Sequence, residues 1–210
     1  MISAKLVAHT TPTIAVGASN PEEFISYAAR VSNPSNQNNY DTAEGLLKYC
    51  IRNKHFSIFE MVNAVVEVKA PRDITRQMLR HRSFSFQEFS QRYSDEIEFC
   101  DREVRMQDKT NRQNSISIDD FYNGPNQFVR DCWDEDVKEI VELVKEHFKD
   151  QRKIGVAKEV ARVLLPEGLT MSTMYVNGTL RSWLHYLDVR EGNGTQKEHI
   201  ELANKCRNVL

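Results

Sequence analysis

The densest chemistry in this chain lies between residues 69 and 92. Lys69, Arg72, Arg76, Arg80, Arg82 and Arg92 stand there against only Asp73 and Glu88, a local cationic excess in a chain whose formal net charge is −2. Arg72, Arg76 and Arg80 recur at i, i+4 and i+8, a spacing that predicts one helical face opposite Ile74 and Met78. The run continues as Arg80-His81-Arg82-Ser83-Phe84-Ser85-Phe86-Gln87-Glu88-Phe89-Ser90-Gln91-Arg92. Forked guanidinium groups can grip a phosphate, while hydroxyls and an amide can hydrogen-bond a planar heterocycle. A solvated basic face is the plain reading of the three arginines alone. The whole run suits a nucleotide. It also suits a single-stranded nucleic acid whose bases stack on Phe84, Phe86 and Phe89, although that use leaves Gln77 and Glu88 without a purpose.

These residues need elements to hold them. Asn20-Pro21-Glu22-Glu23 predicts a helix start with a capping box, and Asp41-Thr42-Ala43-Glu44 predicts a second helix running to about Asn53. Residues 62–69 alternate and predict a strand, with Val66 and Val68 on one face. Pro71 opens the arginine-bearing helix, and residues 83–94 read as loop. Residues 95–118 carry little pattern beyond one short strand. A long helix follows Gly124-Pro125, with Val137, Ile140, Val141, Val144 and Phe148 on one stripe and an acidic opposite face. That face would also suit a purely structural oligomer that binds no cofactor. Gly155 ends the long helix, and a shorter one reaches Leu165. Residues 169–176 predict a strand, Leu180, Trp183, Leu184 and Leu187 a further helix, and Thr195-Gln196-Lys197-Glu198 the cap of the last. The pattern is α+β, a helix-rich single domain over residues 1–210 with a small, mostly antiparallel sheet.

Composition narrows the class. The 210 residues are 40% hydrophobic and 28% charged, which is the balance of a folded globular protein rather than a disordered one. No apolar run is long enough for a transmembrane helix, and Met-Ile-Ser-Ala-Lys lacks the apolar stretch of a secretory signal. Cys50, Cys100, Cys132 and Cys206 form no C-x-x-C pair and predict a reduced, cytoplasmic chain. The six histidines show no H-E-x-x-H spacing, so no metal is expected. Gly192-Asn193-Gly194 lacks the third glycine of a dinucleotide fingerprint. The overall charge argues against a general nucleic-acid or membrane-surface binder.

Arg80-His81-Arg82, seven residues and then Ser90 resemble the R-H-R-x7-S signature of the flavin-dependent thymidylate synthases (ThyX family). The fuller pattern R-H-R-x-x-S-x-N-E-x-S-x-R is matched except that Gln87 replaces asparagine. Ala29-Arg30-Val31-Ser32, His55 to Glu60 (with Met61 in place of a final histidine), Lys69-Ala70-Pro71, Glu159 to Pro166, and Leu180 to Tyr186 with Arg190 are similar to further family segments. Thr179 and Gly194-Thr195-Gln196 depart from the usual N and H-A-Q. The resemblance implies methylation of dUMP at C5 to dTMP. It also implies FAD as cofactor, NADPH and 5,10-methylenetetrahydrofolate as cosubstrates, and a homotetramer that shares its sites. It implies a cytoplasmic setting, that of a host cell if the chain is virus-encoded.

The same resemblance assigns roles. Arg80, Ser90 and Arg92, with the backbone N–H groups of Phe89 and Gln91, would hold the dUMP phosphate and nearby oxygens. Gln77 and Glu88 would reach the same nucleotide, and Arg162 and Arg190 would face the uracil. Arg190 would be catalytic, polarising the pyrimidine at N3; read without the resemblance, it is a helix C-terminal cation. Arg80, His81, Arg82 and Glu88 would serve the flavin and its pyrophosphate, with His55, Ser57, Thr179, Arg181 and His185 at its other contacts. None of the four cysteines stands in the Pro-Cys-His setting of the thiolate-dependent synthases, and methylation without a protein nucleophile calls for a reduced flavin.

Overall fold

The computed structural model describes residues 1–192 and 194–210. Asn193, within Gly192-Asn193-Gly194, lies outside the described residues. The chain opens with β1 (Ser3–His9), a strand the sequence reading passed over. α1 (Pro21–Ala29) starts as expected: Asn20 Oδ1 accepts from the Glu23 N–H at 2.8 Å, and Glu23 Oε2 accepts from the Ser19 N–H at 2.6 Å. α2 (Ala43–Arg52) lacks the expected side-chain cap. The Thr42 hydroxyl instead accepts from Arg30 Nη2 at 2.7 Å, tying α2 to the end of α1.

A 3-10 turn over Phe56–Met61 leads into β2 (Asn63–Pro71) and then α3 (Arg72–Met78). β3 (Ser85–Glu88) follows where the sequence predicted loop. The four residues are too few to show alternation, and they become a strand because a partner edge meets them. Residues 95–118 hold a small ribbon of β4 (Met106–Gln107) and β5 (Ser115–Ile116). Then come α4 (Ile118–Tyr122), the long α5 (Gln127–Lys153), α6 (Lys158–Ala161) and a 3-10 turn over Arg162–Leu164. β6 (Met171–Thr179), α7 (Leu180–Arg190) and α8 (Lys197–Val209) complete the chain. The expected cap of α8 by Thr195 is absent: the helix begins one residue later, with Gln196 at the cap position, and the Thr195 hydroxyl donates to Val189 O at 3.4 Å.

The main sheet has the order β1-β2-β6-β3 and is antiparallel throughout. Val66, Val68, Met174 and Val176 point to the face covered by α3, α7 and α8, where they are fully buried with Ile74, Met78, Trp183 and Leu202. The other face carries Val65, Glu67 and Tyr175 and stays partly open. A second cluster joins α1, α2 and the Phe56–Met61 turn through Ile25, Leu47 and Phe59. On α5 the apolar stripe is only partly covered: Phe148 is buried, Val137, Val141 and Val144 are half-buried, and Ile140 is 46% exposed. No described helix is long and apolar enough to cross a membrane.

Gly178 on β6 is required by packing. A Cβ at that position would sit 2.2 Å from Phe84 Cδ1. Phe84 lies across the glycine and packs on Trp183 with ring centroids 4.6 Å apart and on Tyr186 at 5.9 Å.

Candidate active site

The arginine-rich segment is divided between a helix, a turn and a strand. α3 ends at Met78, so the stripe of Arg72, Arg76 and Arg80 is broken. The Arg80 N–H donates to Gln77 O at 3.3 Å and the His81 N–H to Met78 O at 3.0 Å, closing a tight turn. The cause is the aromatic pair downstream: His81 packs edge-on against Tyr186 at 5.1 Å, and Phe84 is drawn into the core. Arg80 and Arg82 are left exposed on the turn.

Arg72 and Arg76 face Glu88 instead. Arg76 Nη1 donates to Glu88 Oε2 at 2.9 Å, Ser172 Oγ donates to Glu88 Oε1 at 2.8 Å, and Arg72 Nη1 lies 4.0 Å away. The Arg72 and Glu88 side chains are only 13% and 18% exposed, so this pairing holds β3 onto α3 in a poorly solvated place. Burial lowers the Arg72 pKa from its ordinary value, and Glu88 opposes that shift.

The loop after β3 carries the expected anion-binding residues. The Phe89 N–H donates to Thr173 O at 2.9 Å. That corrects the expectation that it would serve a phosphate, because the strand pairing has taken it. Ser90 Oγ accepts from the Arg92 N–H at 3.3 Å, and Arg92 Nη2 donates to Glu159 Oε2 at 3.2 Å. Arg162 lies on the same segment as Glu159 and donates from Nε to its carbonyl at 3.2 Å. Arg92 and Arg162 thus meet at Glu159, one on its carboxylate and one on its carbonyl, with Ser90 bonded to the Arg92 backbone and Gln91 buried.

Arg190 lies in the last turn of α7. Its Nε donates to His81 Nε2 at 2.9 Å. Burial, with Arg190, His185 and Arg80 as neighbouring cations or titratable groups, lowers the His81 pKa to about 4. The imidazole is therefore neutral near pH 7, with Nε2 free to accept and the proton on Nδ1. Burial likewise lowers the Arg190 pKa. The sequence assigned these two residues to different ligands, and the fold puts them in direct contact.

His55 and Ser57 meet Arg181 along a groove of about 580 Å³, floored by Phe56 and Ile58. Arg181 Nη1 donates to Glu60 Oε1 at 2.9 Å at the surface. Thr179 caps α7, its Oγ1 accepting from the Ser182 N–H at 3.2 Å. His185, one turn beyond Arg181, is exposed.

Gln77 belongs to a part-buried relay that no sequence pattern predicts. It donates to Gln196 Oε1 at 2.8 Å and lies 3.2 Å from His199 Nδ1. The available sign was His199 itself, a titratable residue in register with Leu202, Ala203 and Cys206 on the buried stripe of α8. Phe84 is buried and Phe86 half-buried, so the stacking platform expected of a single-strand binder is absent from this segment. Among the described residues no cluster of three or more His, Cys, Asp or Glu side chains is arranged to hold a metal.

The family described as thymidylate synthase complementing protein matches residues 5–210. A probable flavin-dependent thymidylate synthase of Paramecium bursaria Chlorella virus 1 is 46% identical over 213 residues, covering 100% of this chain and 94% of that one. A flavin-dependent thymidylate synthase of Synechocystis is 41% identical, again over 100% and 94%. Among solved structures, a UMP/dUMP methylase, PolB, from Streptomyces cacaoi bound with 5-Br dUMP superposes with a TM-score of 0.76. It is 26% identical and covers 99% of this chain and 89% of that one.

Proposed function

The chain belongs to the flavin-dependent thymidylate synthases, and from that premise we propose how its residues divide the methylation of dUMP to dTMP. The observation that carries the reading is the Arg190–His81 hydrogen bond. It gives a cation a fixed direction at the end of α7, beside the turn of the family signature. A guanidinium held that way stabilises negative charge developing on the pyrimidine at N3 and its neighbouring carbonyl. Neutral His81 leaves the positive charge undiluted. Ser90, Arg92 and Arg162 hold the phosphate end, where forked donors match phosphate oxygens, and Gln77 meets the nucleotide between them.

The donor set suits a flavin. His55, Ser57 and Arg181 line a groove together with the apolar side chains of Phe56 and Ile58, and Arg80 and Arg82 offer two exposed cations for a pyrophosphate. When bound, FAD supplies the hydride that the protein's own side chains cannot. The Glu60 partner of Arg181 is exposed and exchanges readily for an anionic ligand. Thr179 contributes through the cap that sets the direction of α7. Glu88 acts by holding the signature strand, with Arg76 and Ser172 as its partners. NADPH as reductant and 5,10-methylenetetrahydrofolate as carbon donor complete the proposed reaction.

We further propose a homotetramer with sites shared between subunits. The part-covered stripe of α5 and the open face of the sheet support it, as does the separation of the candidate contacts into clusters with no side-chain hydrogen bond between them among the described residues. A reducing cytoplasm suits the four free cysteines.

The test is an absorption spectrum after incubation with FAD and gel filtration. Retained flavin that NADPH bleaches, with a spectral shift on adding dUMP and release of dTMP when methylenetetrahydrofolate is supplied, is the expected result. A colourless protein would refute the flavin site assigned to these residues.

A further inference from the structure

His199 is an unexpected side chain where it stands. It is fully buried in the first turns of α8, among Leu202, Ala203 and the ring of Tyr186, 5.8 Å between centroids. Burying an imidazole is costly relative to an apolar side chain of like size unless its hydrogen bonds do something. One of them reaches Gln77.

The direction of that bond follows from the far end of the relay. Arg102 donates to both oxygens of Asp73, at 3.1 and 3.0 Å. The Asp73 carboxylate can only accept, so Gln196 must turn its Nε2 toward it, at 3.5 Å. Gln196 Oε1 is then left to accept from Gln77 Nε2 at 2.8 Å. Gln77 Oε1 consequently faces His199 Nδ1 at 3.2 Å, and Nδ1 must carry the proton. Each amide has one permitted orientation, set in turn by its neighbour. What remains to Gln77 is one N–H and one oxygen lone pair.

We propose that His199 is a positioning residue for the nucleotide: by donating to Gln77 Oε1 it fixes the orientation in which the Gln77 amide meets dUMP. This rests on the reading of Gln77 as a dUMP contact. His199 stays neutral because burial, with Arg190 and His81 nearby, lowers its pKa to about 3. The neutral tautomer leaves Nε2 as an acceptor. That atom and the Tyr186 hydroxyl are both buried with no protein partner among the described residues, and their chemistries are complementary. Without His199 the Gln77 amide is held by Gln196 alone, whose own bond to Asp73 is long at 3.5 Å, so the two amides can turn together or Gln77 can swing about the one remaining contact, and the nucleotide meets a less well oriented group.

The experiment is equilibrium titration of dUMP into FAD-loaded protein, with steady-state kinetics alongside. His199→Leu removes the donor and keeps the volume, and is expected to raise the dUMP Kd and KM about tenfold while kcat changes about twofold or less. His199→Asn places an amide N–H where Nδ1 was and is expected to restore affinity to within about threefold. In a Gln77→Ala background, His199→Leu should add nothing, because His199 acts through Gln77. A purely structural role would instead give independent effects that multiply, and Asn would not rescue. Unchanged dUMP affinity in His199→Leu overturns the proposal. If His199→Leu does not fold, Gln196→Ala releases the same amide from the partly exposed side. Unchanged affinity there overturns the relay equally. Failure of the wild-type protein to bind dUMP at all is a different result, and would count against the nucleotide reading of Gln77 itself.

Discussion

Substituting alanine for Gly178 sets two effects of opposite sign against each other. The strand position needs no left-handed backbone, so Gly178→Ala reduces the freedom of the unfolded chain and on that account stabilises by about 0.4–1 kcal/mol. Against it stands Phe84, whose Cδ1 would lie 2.2 Å from the new Cβ and Cε1 2.5 Å from it. Carbon atoms settle near 3.5–4.0 Å, so the ring must retreat by roughly 1.3–1.8 Å. It has nowhere to go, being wedged on Trp183 and Tyr186 with Phe86 edge-on at 6.1 Å. Overpacking costs about 1–3 kcal/mol, and an approach as short as this one belongs in the upper part of that range, at roughly 2–3 kcal/mol, so the clash wins by about 1–2 kcal/mol. For a chain of this size that corresponds to a fall in Tm of roughly 2–8 °C at fixed protein and flavin concentration. Moving Phe84 also moves the Arg80–Ser83 turn, so flavin retention should weaken with stability. Urea unfolding of wild type, Gly178→Ala, Phe84→Ala and the double variant tests the reasoning. Once the ring is gone, the glycine substitution should cost nothing or stabilise slightly. A Gly178→Ala protein as stable as wild type, or a cost that persists without Phe84, would refute the packing argument.

Other expectations can be checked with the same preparations. Arg190→Ala should abolish dTMP formation while FAD is retained after gel filtration, and near-normal turnover would remove Arg190 from the chemistry. Glu88→Ala leaves the poorly solvated Arg72 without its partner and should destabilise by about 3–5 kcal/mol in urea; Glu88→Gln, which keeps the contacts to Arg76 and Ser172, should cost less than half as much. His81 and His199 have folded-state pKa values lowered to about 4 and about 3 from 6.5. The unfolded chain therefore takes up protons that the native one refuses, and stability should be complete above about pH 6.5 and decline as pH falls below it. Between pH 7 and 5, where carboxylates remain ionised, the unfolding midpoint should drop, and His199→Asn should flatten the slope; a midpoint constant over that range would contradict the assignment.

Much of the frame could be read from residue order. Val66 and Val68 alternate cleanly because both strands flanking β2 are present and one face is sealed. β1 escaped notice because it lies at the sheet edge and a bulge between Leu6 and Ala8 interrupts its alternation. β3 is a strand only by virtue of β6, which comes far later in the chain. Periodicity extends the arginine stripe one turn too far, since α3 ends at Met78 and periodicity cannot register Phe84 pulling the backbone aside. The stripe on α5 was read correctly as apolar. Periodicity states that such a face needs covering and leaves open what covers it. The contact of Arg190 with His81, and the relay through Gln196, arise from approach in space of residues more than a hundred positions apart in sequence, where no local pattern reaches.

The strand order has a consequence for how the chain comes into being. β6 lies between β2 and β3, yet it is made long after both. At roughly 5–20 residues per second on a ribosome, β3 waits about 4–17 s and β2 about 5–20 s before the strand that joins them is made. During that interval β2 offers an unpaired edge rich in valine, and Phe84 has neither Trp183 nor Tyr186 to rest on. Such pairing over long separations also makes spontaneous folding slow. The nascent chain is therefore a natural client for chaperones that shield strand edges. The Arg190–His81 contact and the bond of Gln77 to His199 likewise wait for α7 and α8, which are made after the other elements described above.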